Sequence, residues 1–217
     1  MHFRDIRRVL GRYRHPGALS ALYMAGRMAL CPYDRLLDDL PRTGDLLDVG
    51  CGSGVWLNYL RLTRPELRLS GVDIDPAKIA LAGKSTDASI RYALVPETYV
   101  PGPESCDALT CMDVFYMFDE AVAARLLEGF FAALRPGGVF LLKDVTDTPF
   151  HKHALTRFQE LLAVKILGFT KGGGVRIKSA DAYVRLLGAA GFADVSARRV
   201  DAGYPHPSVA VTGKKPA

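Results

Sequence analysis

No run of about eighteen apolar residues passes without a charge, so no segment of this chain is long and apolar enough to span a bilayer. The opening, residues 2–14, is basic, and the apolar run after it is broken at Arg27, which is not the form of a signal peptide. A cytoplasmic protein is expected. Cysteine is scarce: there are four, at positions 31, 51, 106 and 111, with no C-x-x-C pair and no matching histidines. That spacing excludes the common structural zinc sites, so no metal is expected and the thiols are read as reduced and mostly buried. There is no Tyr-x-x-x-Lys pair of the kind that short-chain oxidoreductases use, no internal repeat and no low-complexity tract.

What remains is a 217-residue chain with 49% hydrophobic and 24% charged residues, ordinary values for one soluble domain with a full core. The formal charge is +5. Much of the excess lies early, in Arg4, Arg7, Arg8, Arg12 and Arg14 against Asp5 alone. Such an arm is a solvated face, or it attracts an anionic partner: nucleic acid, anionic lipid or an acidic carrier protein.

The pattern is organised around Leu46-Leu47-Asp48-Val49-Gly50-Cys51-Gly52-Ser53-Gly54. Leu46, Leu47 and Val49 form a strand buried on both faces, as parallel strands covered by helices are. The glycines permit positive φ and let backbone N–H groups approach a ligand, with Ser53 a candidate N-cap for a helix starting near Val55. Ligands of open α/β sheets bind at such carboxyl ends of strands. The spacing is G-x-G-x-G, not the dinucleotide G-x-G-x-x-G, and an acid precedes it by two positions. A second strand closes on Gly71-Val72-Asp73-Ile74-Asp75, 23 positions after Gly50. An acid there can accept from both hydroxyls of a ribose lying over the glycine turn.

Before these motifs, Phe3, Ile6, Val9, Leu10 and Tyr13 keep helical spacing, which predicts an amphipathic helix over 3–13 ended by Pro16-Gly17. A second helix is expected over 19–30, stopped at Cys31-Pro32, and a short one over 33–40. Residues 1–42 are thus a helical extension, a lid or a cover for the sheet, and residues 43–217 the domain proper. From residue 45 the segments alternate: strands at 45–49, 67–72, 89–94, 107–112 and 138–144, helices at 55–63, 76–83 and 119–133. This predicts an α/β doubly wound, mostly parallel sheet. Helices near 153–167 and 180–190 follow. Strands near 193–200 and 207–213 flank Pro205 and Pro207, which predicts an antiparallel closing hairpin.

Leu46–Gly54, Gly71–Asp75, Cys106-Asp107-Ala108-Leu109-Thr110-Cys111-Met112-Asp113 and Leu134-Arg135-Pro136-Gly137-Gly138, in that order, resemble a class I S-adenosylmethionine-dependent methyltransferase of the small-molecule type. The resemblance covers residues 45 to about 145. It implies a seven-stranded Rossmann-like sheet with an antiparallel C-terminal strand. It implies S-adenosylmethionine as cofactor, with Asp48, Gly50, Cys51 and Gly52 at the methionine end, Asp73 on the ribose, Ile74 beside the adenine, and Met112 and Asp113 in contact with the cofactor at the end of the fourth strand. The family's acid for the adenine amino group has no aligned match; Glu97, in Leu94-Val95-Pro96-Glu97-Thr98, is the candidate with a shifted register.

Methyl transfer from a sulfonium needs no acid for the leaving thioether, so a base is required only for a protonated acceptor. His151 is the first candidate base, Asp113 the second, and Tyr116, Lys143, His151 and His206 are candidates for acceptor contact. His153 opens the same helix as His151. Phe115, Tyr116, Met117 and Phe118 suggest an apolar pocket, and Lys171-Gly172-Gly173-Gly174 a hinge. The polar Asn-Pro-Pro-Tyr type of motif of nucleic-acid amino methyltransferases is missing, so nucleic acid is not the expected partner. The expected acceptor is small and largely apolar, aromatic or acyl-like, free or bound to an acidic carrier docked on Arg4, Arg7, Arg8 and Arg12, within natural-product or lipid metabolism. The alternatives are an NAD(P)-dependent oxidoreductase and a non-catalytic cofactor-binding, membrane-associated subunit.

Overall fold

The computed structural model describes residues 2–147 and 176–217. The helix candidate near 153–167, His151, His153 and Lys171–Gly174 lie outside the described residues. Among the described residues, fifteen elements follow in chain order. They are α1 (Phe3–Leu10), α2 (Ala18–Leu30), a 3-10 helix (Tyr33–Asp39), β1 (Gly44–Val49), α3 (Val55–Thr63), β2 (Leu67–Asp73), α4 (Pro76–Ala82) and β3 (Arg91–Leu94). After them come β4 (Cys106–Met112), a one-turn 3-10 helix (Phe115–Met117), α5 (Glu120–Ala133), β5 (Leu134–Val145), α6 (Ala180–Ala189), β6 (Ala193–Arg199) and β7 (Ser208–Lys214).

The sheet has seven strands in the order β3-β2-β1-β4-β5-β7-β6. β1 to β5 run parallel, and β7 lies antiparallel to both β5 and β6. This is the expected doubly wound sheet with its antiparallel closing hairpin. The order reverses beside β1, so the crevice at the carboxyl ends of β1 and β4 is the topological switch point where ligands of such sheets bind.

Period-two alternation divides the core into two layers, one on each face of the sheet. Leu46, Leu69, Ala108, Met112 and Leu141 pack with α1, α2, the 3-10 helix and α3. Leu47, Leu109, Cys111, Phe140 and Leu142, one position out of step, pack with α5 and α6. The N-terminal segment belongs to the first layer: Ile6, Val9, Met24 and Met28 are buried there, and Tyr33 stacks on Trp56 at 5.0 Å between centroids. α2 is apolar on its outer side as well, where Leu19, Leu22, Tyr23 and Leu30 are exposed.

Several boundaries differ from the sequence reading for local reasons. α1 stops at Leu10, not at 13, and the chain then turns Tyr13 inward; its hydroxyl donates to Ser53 O at 2.8 Å. Ser53 is not the N-cap of α3. That position is Gly54, at φ 77°, with no side-chain cap bond. β5 begins at Leu134 and runs through the Pro136-Gly137-Gly138 turn expected to precede it, and the β4–β5 register shifts between Cys106 and Ala108 to absorb the irregularity.

Asn58 ties the N-terminal segment to the glycine turn. It is fully buried in α3, and its Nδ2 donates to Gly54 O at 3.0 Å, Tyr13 Oη at 3.0 Å and Tyr92 Oη at 3.1 Å. Its Oδ1 accepts from Arg12 Nε at 3.1 Å and Ser85 Oγ at 2.9 Å. Arg12 also pairs with Asp87, so it faces inward, whereas Arg4, Arg7 and Arg8 remain on the solvated face. An Asn58→Leu variant leaves several buried polar groups without partners, and we expect a loss of about 3 kcal/mol in urea denaturation. A loss under about 1 kcal/mol would mean that the network contributes little.

Candidate functional site

The strand-to-helix connection after β1 supplies the site's floor. Gly50 sits at φ 78°, and a Cβ there would lie 2.6 Å from Val114 Cγ2, so the turn and the segment after β4 approach as only glycine allows. The N–H groups of Gly50 and Cys51 both donate to Val72 O, at 2.9 and 3.0 Å, which folds the turn back over the end of β2. Cys51 is buried and its thiol is pushed far up by that burial, with Asp48 and Asp73 adding to the effect. It is a packing residue, not a nucleophile.

Asp73, at the end of β2, accepts from Gly52 N at 2.7 Å through Oδ2 and from Asp75 N at 2.9 Å through Oδ1. Each oxygen retains acceptor capacity, since a carboxylate can take about four hydrogen bonds. Ile74 beside it is about half exposed, an apolar side chain held at the rim. Glu97 lies in the exposed turn beyond β3.

Asp48 is 1% exposed. Burial pushes its carboxyl up to about 7, against the hydrogen bond from Thr110 Oγ1 to Oδ1 at 2.7 Å; Asp73 raises it further and Arg27 opposes the rise. No described residue donates to its second oxygen. A carboxylate so disposed at the end of an apolar strand is matched by a cationic ligand group, which removes the cost of ionising it.

A second charged cluster stands at the ends of β4 and β5. Met112 is buried in the core, and Asp113 after it adopts φ 57°. Asp113 Oδ1 pairs with Lys143 Nζ at 2.5 Å and Oδ2 with Arg27 Nη2 at 3.1 Å. Burial disfavours ionisation of Asp113, but Lys143 and Arg27 outweigh it and hold the carboxyl below its usual range. With both oxygens engaged, it is a poor proton acceptor. His206 precedes β7, whose first residue pairs with the last of β5, so it stands at this same end of the sheet. Its desolvation, reinforced by Lys143 and opposed by Asp113, lowers its pKa and leaves the imidazole neutral at neutral pH. Tyr116 is half-buried, and its N–H donates to Asp144 Oδ2 at 2.8 Å. Asp144 is fully buried, its carboxyl raised to about 7 by desolvation, and it also accepts from Tyr183 Oη at 3.0 Å.

The structure therefore brings Asp48, Gly50, Cys51, Gly52, Asp73, Met112, Asp113, Lys143 and His206 to one end of the sheet, leaves Glu97 in an exposed loop, and does not describe His151. Sequence reading missed Thr110, Asn58 and Arg27. The last two carried a signal, each a polar residue set in an apolar helical stretch. All four cysteines are free and buried, and no cluster able to hold a metal occurs among the described residues.

A family model described as a methyltransferase domain matches residues 23–197, well over half of the chain. The chain belongs to this methyltransferase family. The match begins inside α2, ahead of the expected boundary at residue 43. Aclacinomycin 10-hydroxylase RdmB of Streptomyces purpurascens is 30% identical over 156 residues, covering 70% of this chain and 41% of that protein. Erythromycin 3''-O-methyltransferase of Saccharopolyspora erythraea is 24% identical over 165 residues, covering 72% of this chain and 53% of the relative. The chain thus spans about half the length of these relatives. Human N-acetylserotonin methyltransferase, solved with its cofactor S-adenosylmethionine, superimposes with a TM-score of 0.69 at 19% identity over 99% of this chain and 58% of that one, which shows the shared fold.

The family's cofactor is S-adenosylmethionine, and the residues of this chain fit it. Asp48 presents a buried carboxylate oxygen suited to the ammonium, Asp73 has acceptor capacity for ribose hydroxyls, and the glycine turn leaves backbone in place of side chains between them.

Proposed function

We propose that this methyltransferase transfers a methyl group from S-adenosylmethionine to a small, largely apolar acceptor, aromatic or acyl-like, in natural-product or lipid metabolism. The observation that carries the reading is a site combining three things at one end of the sheet: a carboxylate poised for an ammonium, a carboxylate for a ribose, and a neutral imidazole near Lys143 and Asp113. An erythromycin O-methyltransferase among the relatives supports a hydroxyl-bearing natural product. The bound sulfonium supplies an activated methyl group. The chain's own residues orient the acceptor and exclude water around it. His206, its pKa lowered by desolvation, accepts the acceptor's hydroxyl proton at a ring nitrogen, a role that the ion-paired Asp113 fills poorly. His151, the first candidate from the sequence, lies outside the described residues and is kept as the alternative base.

The exposed Arg4, Arg7 and Arg8 of α1 suit an acidic carrier holding the acceptor. Labelled methyl transfer to phenols, aromatic acids and acyl chains, each offered free and carrier-bound, tests both levels. We expect label on one class, a fall of about 100-fold in kcat for His206→Ala, and slower transfer to carrier-bound acceptors alone when Arg7 and Arg8 are changed to Glu. Unchanged kinetics with carrier-bound acceptors in that double variant would remove the carrier.

A second reading has its own support. The relative RdmB is named a hydroxylase, so a protein related to this one has a name that is not that of a methyltransferase. Tight S-adenosylhomocysteine binding with no label on any acceptor class would favour a chain that binds the cofactor without transferring its methyl group.

A further inference from the structure

Arg27 is the only charged residue of α2 (Ala18–Leu30), and it is carried to the ligand end of the sheet, not to solvent on the helix's outer side. There its Nη2 approaches Asp113 Oδ2 at 3.1 Å and Met112 O at 3.4 Å. Lys143 meets the same carboxylate from β5. Two cations thus share one carboxylate. The neighbouring acids do not redress this fully, because burial raises the carboxyls of Asp48 and Asp144 to about 7 and disfavours their charged forms.

The three side chains differ in access. Lys143 is 5% exposed and Asp113 10%, whereas Arg27 is 34% exposed. The guanidinium is the open edge of the cluster, and it retains N–H groups beyond those directed at Asp113 and Met112. It also lies within electrostatic reach of Asp48, so the site offers a negative and a positive group side by side. The backbone of Asp113 is held at φ 57°, a conformation that non-glycine residues adopt at a cost, and it is this turn that carries the carboxylate between the two cations.

We propose that Arg27, backed by Lys143 and oriented by Asp113, is an oxyanion-binding subsite at the methyl end of the cofactor site. It takes a ligand carboxylate, either from the amino-acid end of the cofactor or from an acidic acceptor. The proposal rests on S-adenosylmethionine being the cofactor. Asp113 acts here as a positioning residue: its two ion pairs fix the guanidinium, and the ligand oxyanion completes the second cation's neutralisation.

The test uses Arg27→Met, which keeps the side chain's length and leaves Asp113 paired with Lys143, and Arg27→Lys as the charge-conserving control. Calorimetric titrations use S-adenosylhomocysteine and 5'-methylthioadenosine, which lacks the amino-acid end, and then 4-hydroxybenzoate and 4-hydroxybenzamide on enzyme saturated with S-adenosylhomocysteine. If the oxyanion is the cofactor's, Arg27→Met loses about 30-fold or more in S-adenosylhomocysteine affinity and nothing for methylthioadenosine, with partial recovery in Arg27→Lys. If it belongs to the acceptor, both nucleosides bind unchanged and hydroxybenzoate loses its advantage over hydroxybenzamide. A variant that weakens both nucleosides equally, or leaves every ligand unchanged, overturns the proposal. Wild-type binding of methylthioadenosine reads the cofactor site separately, so failure here is distinguishable from failure of the functional reading.

Discussion

An Asp48→Asn variant will bind S-adenosylhomocysteine about 100-fold more weakly at pH 8 and will at the same time be more resistant to denaturation than the wild-type protein. The opposite signs follow from one carboxyl. In the folded chain burial raises it from 3.8 to about 7. Because the folded state holds a proton that the unfolded chain releases, this group's contribution to stability is complete below about pH 4 and is lost as pH rises through 7, up to about 4 kcal/mol in all. Asparagine cannot ionise, and it keeps an oxygen to accept from Thr110. The variant's melting temperature should therefore fall less than the wild type's between pH 4 and 8. Binding follows the reverse course. A ligand ammonium favours the ionised form, so wild-type affinity is greatest above pH 7 and falls toward tenfold per unit below it, with uptake of the displaced proton by buffer visible in calorimetry. Asparagine removes that dependence. Asp144 is raised to a similar value but faces Tyr116 and Tyr183. Asp144→Asn should leave the pH dependence of cofactor binding in place, and if it were the variant that abolished it, the ammonium would have been assigned to the wrong acid.

The parts of this site that are continuous in sequence were legible there. Asp48, the glycine turn and Asp73 lie in two strand ends, and buried parallel strands announce themselves as apolar runs closed by an acid or glycine. The alternating strands and helices gave the sheet, and the paired prolines its antiparallel hairpin. Contacts between distant segments were not legible. Arg12 reads as part of a solvated basic face and Tyr13 as part of the apolar face of one helix, and only the docking of the N-terminal segment on α3 turns both onto Asn58, 45 residues beyond Tyr13. Arg27 looked like an interruption of an apolar run. Its pairing with Asp113 depends on how α2 lies across the sheet, and periodicity does not encode that. Lys143 and Asp113 were both singled out by their positions at strand ends, yet nothing local says that each neutralises the other. Asp113 as a base and Asp113 as an ion-paired anchor have the same sequence signature.

For Asp73 the largest effect is expected from the smallest change. Asp73→Asn replaces one carboxylate oxygen by an NH2 group, and whichever orientation the amide takes, a donor then faces either Gly52 N or Asp75 N, the two N–H groups that the acid now accepts at 2.7 and 2.9 Å. Turning the donor away from both requires the side chain to leave the turn. Asp73→Ala instead leaves those N–H groups without their acceptor at the buried end of β2, at a cost of about 1–3 kcal/mol in stability. Both variants should lose 100-fold or more in S-adenosylhomocysteine affinity, but a loss alone does not separate a contact with ribose from a distorted glycine turn. The 2'-deoxy analogue does. Wild-type protein should bind it more weakly than the parent nucleoside by the worth of one charge-assisted hydrogen bond, about 1.5–3 kcal/mol. In Asp73→Ala that difference should shrink to a few tenths of a kcal/mol, because the acceptor is already gone. Were the variant to discriminate as strongly as the wild type, the hydroxyl would be read by another group, and Asp73 would serve only to hold Gly52 and Asp75 in the geometry that the turn requires.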